Sequence, residues 1–377
     1  MSRSAAPSAT ISHRLAGLDL FRGLTVAFMI LVNNPGTWGA IYPPLQHAKW
    51  HGCTPTDLVF PFFVFITGAS MPWSLAKGRE AGRTEWQLTM AHMKRCAAVF
   101  AVGLALNGFP YYDLATLRIP GVLQRIALAS LVAGVFVRRG NARTWALAAL
   151  GLLVLHTALL LGVKPPNSDG DLLARGGDVG AFIDRWLLGS QHMWSGGRGS
   201  YDPEGLLGTL SSAATVLLGA IAGDAIRRNG INAGVMIRSV AIGALLAMTG
   251  ITVGPLIPIN KALWTATFVM VTGGLAFIGL VGAVLIADLL QLQGGPVRVG
   301  IAFGRNPLFL FVLAGVLGRL LTVFHIGGKT AKDFIFQSVF VPLGSTSFAS
   351  MMYAATMVLL FAGLAVVLDR RGIRMRF

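Results

Sequence analysis

Residues 47–68 read His47-Ala-Lys-Trp-His-Gly-Cys-Thr-Pro-Thr-Asp-Leu-Val-Phe-Pro-Phe-Phe-Val-Phe-Ile-Thr-Gly68. Two histidines, Lys49 and Asp57 stand directly against a long apolar run. Runs of about 18 or more apolar residues recur along the chain, each long enough to cross a bilayer core of roughly 30 Å. Ionisable groups at the lip of a membrane helix are costly, so a functional site is the default reading for them.

The composition supports a membrane protein. The chain has 377 residues, of which 54% are hydrophobic and 12% charged, whereas a soluble domain carries roughly 25% charged residues. The expected fold is all-α: a polytopic membrane helical bundle of about ten transmembrane helices, forming a single domain over 1–377. Apolar length places the spans at 16–33, 56–76, 91–109, 121–138, 143–162, 206–228, 235–254, 263–288, 298–323 and 350–369. The eighth and ninth are long enough to tilt. Residues 1–14 read as a polar cytoplasmic tail, and the run after them as an uncleaved first helix. No internal repeat stands out, which weighs against a transporter.

Charge fixes the expected orientation. The net charge of +16 is spread over short loops without interleaved aromatics, so no nucleic-acid partner is expected. With the N-terminus inside, 18 lysines and arginines fall inside, nine outside and four within spans. Four of the nine sit in one long outer loop, 163–205, and short loops decide orientation. Both termini are therefore expected in the cytoplasm. Cys53 and Cys96 then fall on opposite sides and do not pair.

The four arginines within spans are Arg22, Arg125, Arg305 and Arg319. Snorkelling can explain some of them. Arg305 is hardest to explain so, because Gly304-Arg305-Asn306-Pro307 breaks its helix and frees backbone groups.

On this topology the polar residues gather at the outer mouth. His47 suits a general base near neutral pH, and Asp57 could hold its ring. A loop histidine beside a capping aspartate is the plainer reading, and His51 is an equal rival on spacing. The two histidines find no third ligand close by, so no metal is expected. Asn33 or Asn34 could donate to an oxyanion, or Asn-Asn-Pro-Gly could simply end a helix. Arg118, Gln124 and Arg125 surround the fourth span. Asp202-Pro-Glu204-Gly resembles a helix cap. Lys261 and Trp264 stand one turn apart, either as a sugar platform or as belt residues. On the cytoplasmic side, Arg22 could pair with Asp19 or bind phosphate.

Together these fragments resemble the heparan-α-glucosaminide N-acetyltransferase family. The resemblance rests on Leu18-Asp-Leu-Phe-Arg-Gly23, Leu31-Val-Asn-Asn-Pro-Gly36, the His47–Gly68 block and Ile119-Pro-Gly-Val-Leu-Gln-Arg-Ile126. It continues through Asp202-Pro-Glu-Gly-Leu-Leu207, Lys261-Ala-Leu-Trp264 and Gly304-Arg-Asn-Pro307, in family order. The His47–Gly68 block is the most specific of these, and related O-acyltransferases open much as Leu18–Gly23 does.

The resemblance implies a transmembrane acetyltransferase that takes acetyl from cytoplasmic acetyl-CoA and gives it to the amine of a glucosamine-type sugar outside. Its essential histidine falls on His47 and its first-helix asparagine on Asn33, with Asp57 beside them. Asp19, Arg22, Arg305 and Asn306 would face the acetyl-CoA nucleotide. Asn34, Arg118, Gln124, Arg125, Asp202, Glu204, Lys261 and Trp264 would line the acceptor site. The bacterial relatives imply an inner-membrane location, and dimers known in the family bring a homodimer into view. The rival readings are a transporter of sugars or cell-wall fragments and a polysaccharide O-acetyltransferase.

Overall fold

In the computed structural model, residues 15–166, 170–292 and 294–375 are described; the expected tail at 1–14 lies outside them. Thirteen α-helices order the described chain. They are α1 (Ala16–Asn33), α2 (Val59–Glu80), α3 (Glu85–Gly108), α4 (Val122–Arg139), α5 (Ala142–Gly162) and α6 (Val179–Leu188). There follow α7 (Gly208–Asn229), α8 (Ala233–Val253), α9 (Ala266–Val284), α10 (Gly295–Arg305), α11 (Pro307–Val323), α12 (Ala331–Ile335) and α13 (Thr346–Arg370). A two-residue hairpin, His325–Ile326 against Lys329–Thr330, is the only sheet among the described residues.

The result is a helical membrane bundle. Helices occupy all ten predicted spans. Among the described residues, seven are long and apolar enough to cross a membrane, and α10 with α11 makes an eighth if counted as one. Helices α3 and α4 fall short of that measure; α3 carries Lys94 and Arg95, and α4 carries Arg125, Arg138 and Arg139. The predicted ninth span is broken rather than tilted: its halves meet at 86°. Proline cannot donate to the ladder and clashes with the preceding turn, so the helix stops at Arg305 and restarts at Pro307.

Helix starts are written locally. Thr84, Asn141, Asp178, Asn232, Thr265 and Ser345 each accept from a backbone N–H in the first turn that follows, which satisfies otherwise orphaned donors. The start of α1 is capped from far away. Asp288, in a π-turn at 285–289, accepts from Ala16 N–H at 2.9 Å and Gly17 N–H at 2.6 Å.

Small residues set the closest helix approaches, as expected where lipid is as apolar as leucine. A Cβ on Gly219 of α7 would lie 1.9 Å from the Phe65 carbonyl oxygen of α2, and one on Gly68 1.8 Å from that of Val216. Likewise Gly304 of α10 meets Asp19 O of α1 at 1.8 Å by the same measure. Three large cores result. One joins Phe60, Val64, Val216, Leu217, Trp264 and Phe268; a second joins Phe21, Phe65, Ile66, Phe277 and Leu280; the third joins Val26, Ile30, Phe303, Leu310, Tyr353 and Phe361.

This packing yields a direct test. Gly219→Ala should cost about 1–3 kcal/mol through overpacking, whereas Gly151, with no neighbour within 4 Å, should tolerate alanine. Thermal melts of the two detergent-solubilised variants would separate them. Equal melting temperatures would refute the α2–α7 contact.

Candidate functional site

The segment between α1 and α2 is held in place at the end where α1 finishes and α2 begins. Gly52 N–H donates to Ile259 O at 2.7 Å. The Trp50 indole donates to Leu173 O at 2.9 Å and packs against Tyr201 and under Arg175. The long 163–205 segment and the α8–α9 connection therefore fix this loop from two sides.

At its centre is Asp57, buried in the short 3₁₀ turn Pro55–Leu58 that leads into α2. Its Oδ2 accepts from Ala48 N–H (2.9 Å), Thr54 N–H (3.1 Å) and the Thr54 hydroxyl (3.0 Å). Its Oδ1 lies 2.7 Å from His47 Nδ1 and 3.3 Å from Lys261 Nζ. A carboxylate that close fixes the imidazole proton on Nδ1. Lys261 Nζ, 3.1 Å from the same nitrogen, therefore donates to Asp57 and merely lies beside the ring. His47 Nε2 is left with its lone pair on a half-exposed side chain.

The same logic separates the two histidines. His51 Nδ1 is 3.3 Å from Asn260 Nδ2. Asn260 Oδ1 already accepts from Leu263 N–H at 2.9 Å, which leaves its amide as the donor to His51. In the neutral ring the His51 proton then sits on Nε2, and no lone pair remains for a base.

Cys53, next to this cluster, is a poor nucleophile. Burial, with the Asp57 charge adding to it and Lys261 opposing, pushes its thiol up to about 12. That also makes it a slow reporter for thiol labelling.

The expected acceptor residues divide. Arg118 donates to both oxygens of Asp202, at 2.9 and 2.6 Å, and also to Glu204. Burial works against its charge, but these two carboxylates outweigh burial and raise its pKa. The three residues thus satisfy one another. Arg125 is fully buried, donates to Gly205 O and lies 5.3 Å over Trp264. Trp264 itself is 0% exposed, edge-on to Phe60 and Phe268, with its indole donating to Thr215. The expectation of a sugar platform at Trp264 is corrected: core residues cover its ring. Lys261 is likewise relocated, from an acceptor ligand to the His47–Asp57 pair.

Two cavities flank these groups. A small one of about 20 Å³, enough for roughly one water, is lined by Arg125, His156, Asp184, Trp50 and Leu263. Arg125 Nε and Nη1 and His156 Nδ1 are buried without partners there. His156 escaped the sequence reading, although a lone histidine within an apolar span was the signal. A larger cavity of about 390 Å³ is lined by Asn33, Asn34, Arg118 and Gln124, together with Arg319 and Lys332. Asn34 spends its amide on Ile30 O at 2.8 Å. His47 does not line this cavity.

At the opposite end the expected nucleotide residues are already engaged. Arg22 pairs with Asp19 at 3.0 Å and reaches Gly304 O at 3.3 Å. Arg305 pairs with Asp369. Asn306 is buried; it donates to Ile373 O at 3.0 Å and accepts from Met375 N–H at 2.8 Å. Of the two readings of Arg22, the pair with Asp19 is the one seen here, and Arg305 likewise holds a carboxylate from the last helix. Among the described residues, no group of three or more His, Cys, Asp or Glu side chains gathers as a metal site.

Comparison with known proteins agrees with the motifs. Residues 14–168 match the family model described as heparan-alpha-glucosaminide N-acetyltransferase, catalytic. Heparan-alpha-glucosaminide N-acetyltransferase of Homo sapiens is 30% identical over 336 residues, covering 75% of this chain and 50% of the relative. The Mus musculus protein of the same name is 29% identical over 337 residues, covering 75% and 51%. The chain spans about half the length of these curated relatives.

The flanking loop makes a pH prediction. Burial pushes the Asp184 carboxyl up to about 6, against the Leu206 N–H and the Arg125 charge. The folded chain then holds this proton more tightly than the unfolded chain, whose ordinary value is 3.8. Its contribution is fully present below about pH 4 and is lost as pH rises towards 6. Asp184→Asn should flatten that part of the melting-temperature profile; an unchanged slope would refute the assignment. The motifs and the comparisons together show that the chain is related to the heparan-alpha-glucosaminide N-acetyltransferase family.

Proposed function

We propose that this chain is a transmembrane acetyltransferase that moves acetyl from cytoplasmic acetyl-CoA to the amine of a glucosamine-type sugar on the outer side. The observation that carries the proposal is the 2.7 Å His47–Asp57 pair, which leaves Nε2 as an oriented base. His47 takes a proton from the amine as nitrogen attacks the thioester carbonyl. Asn33, on the wall of the larger cavity, is the candidate donor to the resulting oxyanion. When the carbon–sulfur bond breaks, His47 can return its proton to the departing thiolate. In the alternative route His47 itself carries the acetyl group. The lysine and arginine asymmetry supports cytoplasmic termini, and on that reading the donor enters from the end bearing Arg22 and Arg305.

The test is label transfer from acetyl-CoA to glucosamine by purified protein. His47→Ala should lose about 10²–10⁴-fold in rate, His51→Ala much less, and Asp57→Asn should fall between them. Label retained on the protein without sugar would select the acetyl-His47 route. Full activity in His47→Ala would overturn the proposal.

A further inference from the structure

The smaller cavity, about 20 Å³, collects three buried nitrogens that no protein group answers. Two belong to Arg125 of α4, its Nε and Nη1, and one is Nδ1 of His156 in α5. Arg125 is 2% exposed and His156 1%. Asp184 of α6 lines the same cavity, is buried, and accepts from Leu206 N–H at 2.8 Å through one oxygen. Its charge reaches Arg125 through space, without a direct hydrogen bond. The other two carboxylates in the wall are engaged. Asp178 caps α6 through Ala181 N–H at 2.9 Å, and Asp202 is held by Arg118.

Leaving such nitrogens unanswered in an apolar interior is costly. The set also defines what can answer them. Arg125 only donates, whereas a neutral His156 with its proton on Nε2 offers Nδ1 only as an acceptor. The ligand must therefore accept and donate at once. A halide cannot donate, and it would face Asp184. A water does both, and the cavity has room for about one.

The cavity borders the His47 site. Trp50 of the His47 loop lines it. Arg125 lies 5.3 Å over Trp264, whose φ of 53° is uncommon for a bulky residue. Trp264 N–H closes the turn onto Lys261 O at 3.2 Å, and Lys261 Nζ reaches Asp57 at 3.3 Å.

We infer that this cavity is a site for one buried water, which accepts from Arg125 and donates to His156 Nδ1 and Asp184. Arg125 and His156 are then positioning residues that, through this water, hold the Lys261–Trp264 turn against Asp57. The effect on catalysis rests on the acetyltransferase reading; the water does not.

A structure of the full chain that resolves ordered solvent should show one peak within hydrogen-bond distance of Arg125 and His156 Nδ1. A dry cavity, or bromide at that position after halide exchange, would overturn the water. In label transfer, His156→Leu should lower kcat about tenfold to a hundredfold while KM for both substrates stays within about twofold. His156→Asn keeps an acceptor near the Nδ1 position and should restore most of the rate. By NMR, the His47 proton shared with Asp57, assigned by its absence in His47→Ala, should shift or exchange faster in His156→Leu. Full kcat in His156→Leu would overturn the positioning role, as would a kcat loss with the His47 proton unmoved. If His156→Leu does not fold, a deep loss of kcat in His156→Asn overturns it instead. If the wild-type protein transfers no label, the acetyltransferase reading falls, and the His47 proton alone decides whether the cavity governs that site.

Discussion

The Asp57 carboxylate is the point on which the His47 end of the molecule is built. A buried carboxylate is tolerated only when its charge and lone pairs are answered. Here the answers come from the loop before α2, from that turn's own Thr54, and from Lys261 some two hundred residues later. Satisfying Asp57 therefore shapes the loop, sets the His47 tautomer and docks the start of α9 against α2. The proposed chemistry depends on this arrangement, because only an oriented imidazole presents Nε2 to a substrate.

The two ends of the bundle treat charge differently. At the Arg305 end the buried carboxylates each hold an arginine: Asp19 holds Arg22, and Asp224 holds Arg227 and Arg228, with Asp369 beside them on Arg305. At the His47 end, pairing is complete around Asp57 and Arg118 but incomplete at Arg125, Arg319 and Lys332. Low dielectric strengthens pairs and penalises what is left unpaired, so the incomplete places are where ligands or water have most to gain.

The membrane bundle could be read from the sequence because every span must satisfy its own backbone, and apolar length records that demand. The His47–Asp57 pairing was legible for a similar reason: titratable residues at a helix lip are rare. Lys261 was legible as unusual but not in its role, since nothing in residues 261–264 reveals a partner at position 57. Trp264 misled because a tryptophan near a span end has the same local signature whether it faces a headgroup or the core. The Arg22–Asp19 pair was legible as one of two readings, since the two residues stand three apart on one helix, whereas the partner of Arg305 was not, because Asp369 comes from the last helix and only packing supplies it. The 86° break was signalled by Pro307, but its angle depends on how α10 lies against α1.

The long-distance cap on α1 has a consequence for how the chain is made. Its first backbone donors are answered by Asp288, about 272 residues further along. At synthesis rates of roughly 5–20 residues per second, the first helix waits on the order of tens of seconds for the carboxylate that closes its end. During that interval its leading turn must draw on water or headgroups for acceptors, which ties the start of α1 to the membrane surface until α9 arrives.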